Sequence, residues 1–265
     1  MTSHDRRPGT PEFRKARTGA PPGFFRREAA GLRWLAAAGG AAVVAVRDVD
    51  EGSLTLDRLE PAAPTAAAAA AFGTALARTH DAGAPAFGAA PPDAPGPFFF
   101  GPLDDPLTLP GDTASSWGEL LADARLLPTV REGVTRGVLG ADDLAAAGRV
   151  ADRLRAGLGG DDEPPARLHG DLWSGNVVWT ADGAVLVDPA AHGGHREDDL
   201  AMLALFGLPH LDAVLAAYDA AHPLRPGWQG RTSLHQLFPL AVHAVLFGGG
   251  YVGRLRSLLG RWSGR

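Results

Sequence analysis

Residues 167–199 read RLHGDLWSGNVVWTADGAVLVDPAAHGGHREDD, and how this stretch is read decides the fold. Asp171 and Asn176 stand five residues apart in a Gly-containing loop, and a second Asp, Asp188, ends an apolar run. Gly170 permits a backbone geometry that a side chain would forbid. Asn176 to Thr180 reads as a β-strand, Asp182-Gly183 as a two-residue hairpin turn, and Ala184 to Val187 as the returning strand. A hairpin of that length brings its ends together and sets Asn176 beside Asp188. One amide oxygen beside one carboxylate suits a hard cation that keeps several waters and is otherwise held by phosphate, as Mg²⁺ is. Phosphoryl transfer from ATP also needs a carboxylate facing the acceptor hydroxyl, and the Asp-x-x-x-x-Asn spacing supplies it as Asp171. Singly, these residues are ordinary turn formers. Their combined spacing predicts a small-molecule kinase.

Working outward, one basic residue is distinctive. Of the 25 Lys and Arg residues only Lys15 is a lysine. A compact ammonium on a flexible stem suits α/β-phosphate oxygens, and Glu28, near the start of a helix predicted over Phe24 to Ala38, is placed to orient it. The net charge of −5 gives no reason to expect a nucleic-acid partner. No apolar run approaches the roughly 20 residues that span a bilayer, so no membrane association is expected. The chain has no cysteine, which excludes thiol catalysis, disulfides and thiolate zinc sites and fits a cytoplasmic location.

The organisation reads as two lobes. Residues 1–60 form a small nucleotide-binding α/β lobe, with strands at Glu12 to Arg17, Ala42 to Val49 and Ser53 to Leu59, the last two joined by a turn at Asp50-Glu51-Gly52. Pro61 and Pro64 mark the hinge. Residues 61–265 form a larger, mostly helical catalytic and acceptor-binding lobe, so the class is α+β. Its first helix spans Thr65 to His80, with Thr65 as N-cap. Ala84 to Asp112, rich in Pro and Gly around Phe98-Phe99-Phe100, reads as a long surface loop or flap. Helices are expected at Ser116 to Leu127 and Ala141 to Leu158, then around Glu197 to Phe206, His210 to Ala221, Thr232 to Phe247 and Tyr251 to Trp262.

With these residues in view, the chain resembles the fructosamine kinase (ketosamine-3-kinase) family, a branch of the aminoglycoside-phosphotransferase and protein-kinase-like fold. The resemblance is carried by Leu168-His169-Gly170-Asp171-Leu172-Trp173-Ser174-Gly175-Asn176-Val177 and Val187-Asp188-Pro189-Ala190. Gly194-His195-Arg196-Glu197 and Asp199-Leu200-Ala201-Met202 extend it. It implies a phosphotransferase acting on the 3-hydroxyl of a ketosamine, free or on a glycated protein lysine, which leads to deglycation. Its cofactors would be ATP and Mg²⁺, and a monomer is expected. Asp171 would take the hydroxyl proton, Asn176 and Asp188 would hold Mg²⁺, and Lys15 with Glu28 would contact the phosphates. The backbone of Leu56, Asp57, Arg58 and Leu59 would meet the adenine. Members of that family carry about two further strands and a phosphate-covering loop before the lysine strand. Here fourteen residues precede Lys15, without a Gly-rich lid, so a truncated N-terminal lobe is expected.

Further residues carry competing readings. Trp173 would form an apolar wall for the acceptor. His192 and His195 would line the acceptor pocket or support the loop after Asp188; with Asp188 they also invite a metal-hydrolase reading that the intervening Gly193-Gly194 weakens. Asp199 would brace the catalytic loop. Trp117, His235 and His243 read as packing residues. Two other functions compete with the ketosamine kinase: a kinase of another small acceptor, aminoglycoside- or choline-like, and a catalytically impaired pseudokinase with a shortened N-terminal lobe.

Overall fold

A computed structural model describes residues 11–264 except 95, 161 and 162. The expected lack of a phosphate lid concerns residues that lie largely outside this set. Strand β1 (Glu12–Ala16) leads to helix α1 (Phe24–Ala36), whose Phe25, Ala29 and Leu32 recur at helical spacing and are buried. They pack with Val44, Leu54 and Leu56 into one small core. The expected strand from Ala42 to Val49 is two pieces, β2 (Ala42–Val43) and β3 (Val46–Val49), which enter different sheets. With β4 (Ser53–Asp57), β3 and β1 make an antiparallel sheet in the order β1-β4-β3. Asp50 closes the β3–β4 turn by accepting the Gly52 N–H at 2.7 Å.

Helix α2 (Ala66–Asp81) starts where Thr65 Oγ1 accepts the Ala68 N–H at 3.1 Å. The Pro- and Gly-rich stretch that follows is not a surface flap throughout. It contains the hairpin β5 (Phe98–Phe100) and β6 (Leu107–Leu109), with Phe98 and Phe100 facing the interior. The period-2 pattern of the Phe run, hidden by the flanking prolines, dictates this. The next helix is longer than expected. Helix α3 (Trp117–Glu119) passes through a π-helical stretch, Leu120–Leu126, into α4 (Leu127–Thr135). Pro128 follows directly on the π-helical stretch, and the helix runs on through it.

After α5 (Ala141–Arg155) come β7 (Ala166–Leu168), β8 (Val177–Thr180), β9 (Gly183–Leu186) and β10 (His192–Gly194). The β8–β9 turn is Ala181-Asp182, one residue earlier than predicted, because Thr180 pairs with Gly183. Thr180 Oγ1 accepts the Asp182 N–H at 3.2 Å and donates to Gly183 O at 3.0 Å, which fixes that register. Strand β2 adds to β9 in parallel, and Val44 N donates to Leu186 O at 3.0 Å, so the N-terminal segment is stitched to the hairpin. Helices α6 (Arg196–Phe206), α7 (Leu211–Ala221), α8 (Trp228–His235), α9 (Leu237–Phe247) and α10 (Gly250–Trp262) complete the chain. They bury two larger apolar clusters, one around Trp117, Leu126 and Leu240, the other around Phe72, Trp179 and Tyr218. No helix among the described residues is long and apolar enough to cross a membrane.

One ionic group at the start of α6 ties it to α8. Burial acts to raise the Glu197 carboxyl, but the His235 ring 3.2 Å away and the hydrogen bonds from Arg231 outweigh it and hold the pKa at about 2, below the ordinary 4.5. Its stabilisation is therefore complete above about pH 4.5 and is lost as pH falls toward 2. Glu197→Gln is expected to lower the urea midpoint at pH 7, and the gap to the parent should close as unfolding is repeated from pH 4.5 downward. A pH-independent gap would show that packing, not charge, is at stake.

Candidate active site

The loop between β7 and β8 is pinned before any ligand is considered. Asp199, 1% exposed on α6, accepts the backbone N–H of His169 at 2.8 Å and of Gly170 at 2.9 Å. His80 of α2 reaches the same carboxylate at 3.2 Å, and its other ring nitrogen meets the Tyr218 hydroxyl of α7 at 2.7 Å. Burial would raise Asp199, yet its hydrogen bonds with His80 and the loop hold it below the usual carboxylate range. The His169 ring accepts the Asp171 N–H on Nδ1 (3.2 Å) and donates from Nε2 to Val187 O (2.9 Å). That network assigns the neutral Nε2–H tautomer, in keeping with a pKa lowered by burial. His169 is thus a brace between the loop and the end of the hairpin. Gly170 has φ +80°, and a Cβ there would lie 2.3 Å from Ala190 O, so glycine is required.

The loop delivers Asp171 to the floor of a cleft of about 370 Å³. Burial pushes its carboxyl up to about 7, helped by the Asp188 and Asp199 carboxylates and opposed by a hydrogen bond from Asn176. A base poised there can take a proton near neutral pH. Asn176 Nδ2 donates to Asp171 O (2.8 Å), Asp171 Oδ2 (3.0 Å) and Asp188 O (3.3 Å), which leaves its Oδ1 available to a cation. Asp188 adopts φ +53°, a left-handed conformation that Asp tolerates better than most residues. Its side chain is 47% exposed in the cleft. An amide oxygen and an accessible carboxylate converging from one side, with the other side open, fit a hard cation completed by phosphate and water.

Opposite them stands Lys15 on β1. Its ammonium bonds Glu28 Oε1 and Oε2 at 2.9 and 3.0 Å and Asp188 Oδ1 at 3.0 Å. Burial would lower its pKa, but the two carboxylates outweigh that and raise it, so it is cationic at any physiological pH.

Of the residues singled out in the sequence, Lys15, Glu28, Asp171, Trp173, Asn176 and Asp188 all line this one cleft. Leu56, Asp57, Arg58 and Leu59 do not. Leu56 is buried in the N-terminal core, Asp57 is clamped by Arg47, and the N–H groups of Asp57 and Arg58 are taken by Ala45 O and Pro11 O. His195 also turns away from the cleft. It caps α6, accepting the Glu197 N–H at 3.1 Å, and packs on Trp117 and His235. His192 is buried beside Phe98, donates to Ala190 O and lines a smaller cavity behind Asp171. Trp117 and His235, which read as packing residues, line that cavity too, and Trp117 Nε1 donates to Asp198 at 3.0 Å. Arg125, also on its wall, had no sequence signal: it is one arginine among many.

Trp173 is 39% exposed at the cleft mouth, edge-on to Phe206. Its ring lies so close over Gly175 that a Cβ there would come within 2.3 Å of it. Gly175→Ala is therefore expected to displace the indole. It should raise the KM of the acceptor several-fold and leave the KM of the nucleotide unchanged, as steady-state kinetics would show. Equal effects on both would point to general damage to the loop.

The fold and the converging groups define the class. An ADP-bound aminoglycoside phosphotransferase superposes with a TM-score of 0.55 at 12% identity, covering 90% of this chain and 81% of that one. The architecture is the α+β, protein-kinase-like phosphotransferase fold. The fructosamine kinase family model matches residues 8–263, and the chain belongs to that family. A crystal structure of a candidate fructosamine-3-kinase from Thermobifida fusca is 46% identical, with a TM-score of 0.87 over 96% of this chain and 86% of that one. A probable ketoamine kinase of Thermus thermophilus is 32% identical over 237 residues, 89% of this chain and 81% of the relative. Matches to several other curated ketoamine kinases span only about a third to a half of those proteins.

Proposed function

We propose that this chain is an ATP- and Mg²⁺-dependent kinase of the 3-hydroxyl of ketosamines, acting as a cytoplasmic monomer, with residues 1–60 as the nucleotide lobe and 61–265 as the catalytic lobe. The observation that carries this reading is the convergence of Asp171, Asn176, Asp188 and Lys15 on one cleft. Family membership supports the acceptor class. A mouse relative named ketosamine-3-kinase is 43% identical over 95 residues, 36% of this chain and 30% of that protein.

Asp171 accepts the proton of the acceptor hydroxyl as its oxygen bonds to the γ-phosphorus and the bond to the bridging oxygen of ADP breaks. Asn176 Oδ1 and the Asp188 carboxylate would hold Mg²⁺, which neutralises phosphate charge during transfer. Lys15, oriented by Glu28, binds phosphate oxygens, and Trp173 offers a flat apolar face to the acceptor. Electrostatic positioning of this kind supplies most of the catalysis in phosphoryl transfer. The test is ADP release, coupled to a reporter enzyme, with ribulosyl-lysine and fructosyl-lysine as acceptors. Mg²⁺-dependent turnover of at least one is expected; no turnover of either by protein shown to bind ATP overturns the proposal.

A further inference from the structure

A ketosamine bound with its 3-hydroxyl at Asp171 has one way out for the group carried on its nitrogen. The nitrogen sits on C1 and the hydroxyl on C3, so that group begins within a few bonds of the reacting oxygen. Behind Asp171 the space narrows to a cavity of about 40 Å³, room for a few waters at most. On the phosphate side stand Lys15, Glu28 and Asp188, already joined to one another. The remaining direction is the mouth of the cleft.

The mouth is apolar. Leu103 of the β5–β6 turn, Trp173 of the catalytic loop, and Val242, Leu246 and Phe247 of α9 line it, with His243 among them. None carries a charge, because burial lowers the pKa of His243 and its Nδ1–H donates to Pro239 O at 2.8 Å. Phe247 is 56% exposed and Trp173 39%, and the only other exposed large apolar side chain among the described residues is Phe13, on β1. Single apolar side chains scattered over a surface need no explanation. Two of three on the rim of one cleft do.

Both rings are held in place. Phe247 ends α9, where Gly248 turns the chain with φ +62°, and its ring centre lies 5.4 Å from that of His243. The His243 ring meets Phe206 at 4.5 Å, and Phe206 meets Trp173 at 6.2 Å. Trp173 and Phe247 are thus the two ends of one aromatic run, and both face the cleft. Across from them the β5–β6 turn closes on α9, since a Cβ on Gly101 would lie 2.3 Å from Leu246 Cδ1. A wall of this composition recognises hydrocarbon through the area it removes from water.

We infer that this rim holds the hydrocarbon stem of the acceptor's amine, and that Phe247 sets the preference for its length. The inference rests on the ketosamine kinase reading above and deepens it: adducts of amines with a straight stem of several methylenes are preferred to those of short amines.

The test measures kcat/KM for the adducts of methylamine, propylamine and hexylamine, made with the sugar, ribulose or fructose, whose lysine adduct the enzyme turns over. The value should rise about two- to fourfold per methylene, the gain from half to full burial of a CH₂, and level off once the stem outgrows the rim. The rise should come chiefly through the KM of the acceptor, with the KM of ATP constant along the series. Phe247→Ser should flatten the series, and Phe247→Tyr, which keeps the ring, should restore it. A flat or falling series in the parent protein, with its lysine adduct turned over, overturns the inference and leaves the kinase reading intact. An undiminished rise in Phe247→Ser overturns the role of Phe247. Failure to turn over any ketosamine sinks the kinase reading and this inference together. Should the variants not fold, the series in the parent protein decides alone.

Discussion

Asp171→Ala is expected to lower turnover by at least about 100-fold, the lower end of what a positioned general base contributes, with nucleotide affinity nearly intact. The asymmetry follows from geometry. Asp171 sits on the cleft floor and shares Asn176 with the hairpin, but it makes no contact with Lys15, whose partners are Glu28 and Asp188. Losing its carboxyl therefore removes the proton acceptor without dismantling the groups proposed to grip phosphate. Asn176 would keep its bonds to the backbone carbonyls of residues 171 and 188, so the hairpin end should hold its shape. Asp171→Asn preserves volume and should be nearly as impaired, because an amide cannot take the proton. Single-turnover kinetics paired with calorimetric titration of Mg·ATP would check both. A variant that retains a tenth of normal turnover would remove Asp171 from the role of base.

The second large effect concerns stability. Asp199→Ala should cost about 3–5 kcal/mol, the scale for stripping one partner from a buried charged network. At about 2–4 °C per kcal/mol for a chain of this size, the melting temperature should drop by roughly 10 °C. The reason is accounting of donors: two loop N–H groups and His80 would lose their acceptor inside the protein. Asp199→Asn should recover only part of this, since its amide oxygen lacks the charge. Activity should fall with either, because the same bonds set the loop that carries Asp171. Calorimetry showing a change of under 2 °C would mean the loop is anchored elsewhere.

These expectations also show what was legible in the chain before folding. The meeting of Asp171, Asn176 and Asp188 followed from local spacing, since a loop and one hairpin are fixed by neighbouring residues. Lys15 beside Glu28 was legible because a single lysine stands out among arginines. Three-dimensional neighbours were not. Leu56 and Asp57 do not line the cleft because they end β4, the central strand of its sheet, and Arg58 beyond it gives its N–H to Pro11 O. His195 turned inward to cap α6, a role that competes with any pocket role. Arg125 lies in a π-helical stretch that no periodicity in the sequence signals. The Phe98–Phe100 strand was masked by prolines that read as loop although the alternating side chains fill the interior.

The two-residue parallel junction of β2 with β9 has a mechanical consequence. It fastens the segment between α1 and β3 to the hairpin whose ends carry Asn176 and Asp188. A rocking motion that widened the cleft would have to pivot about this seam, because sliding across it would break ladder bonds that have no replacement. Lys15, out on β1, would then swing through a wide arc while Asn176 and Asp188 stayed near the axle. In such a motion the Lys15 ammonium would travel, and the Asn176 and Asp188 side chains would hold still.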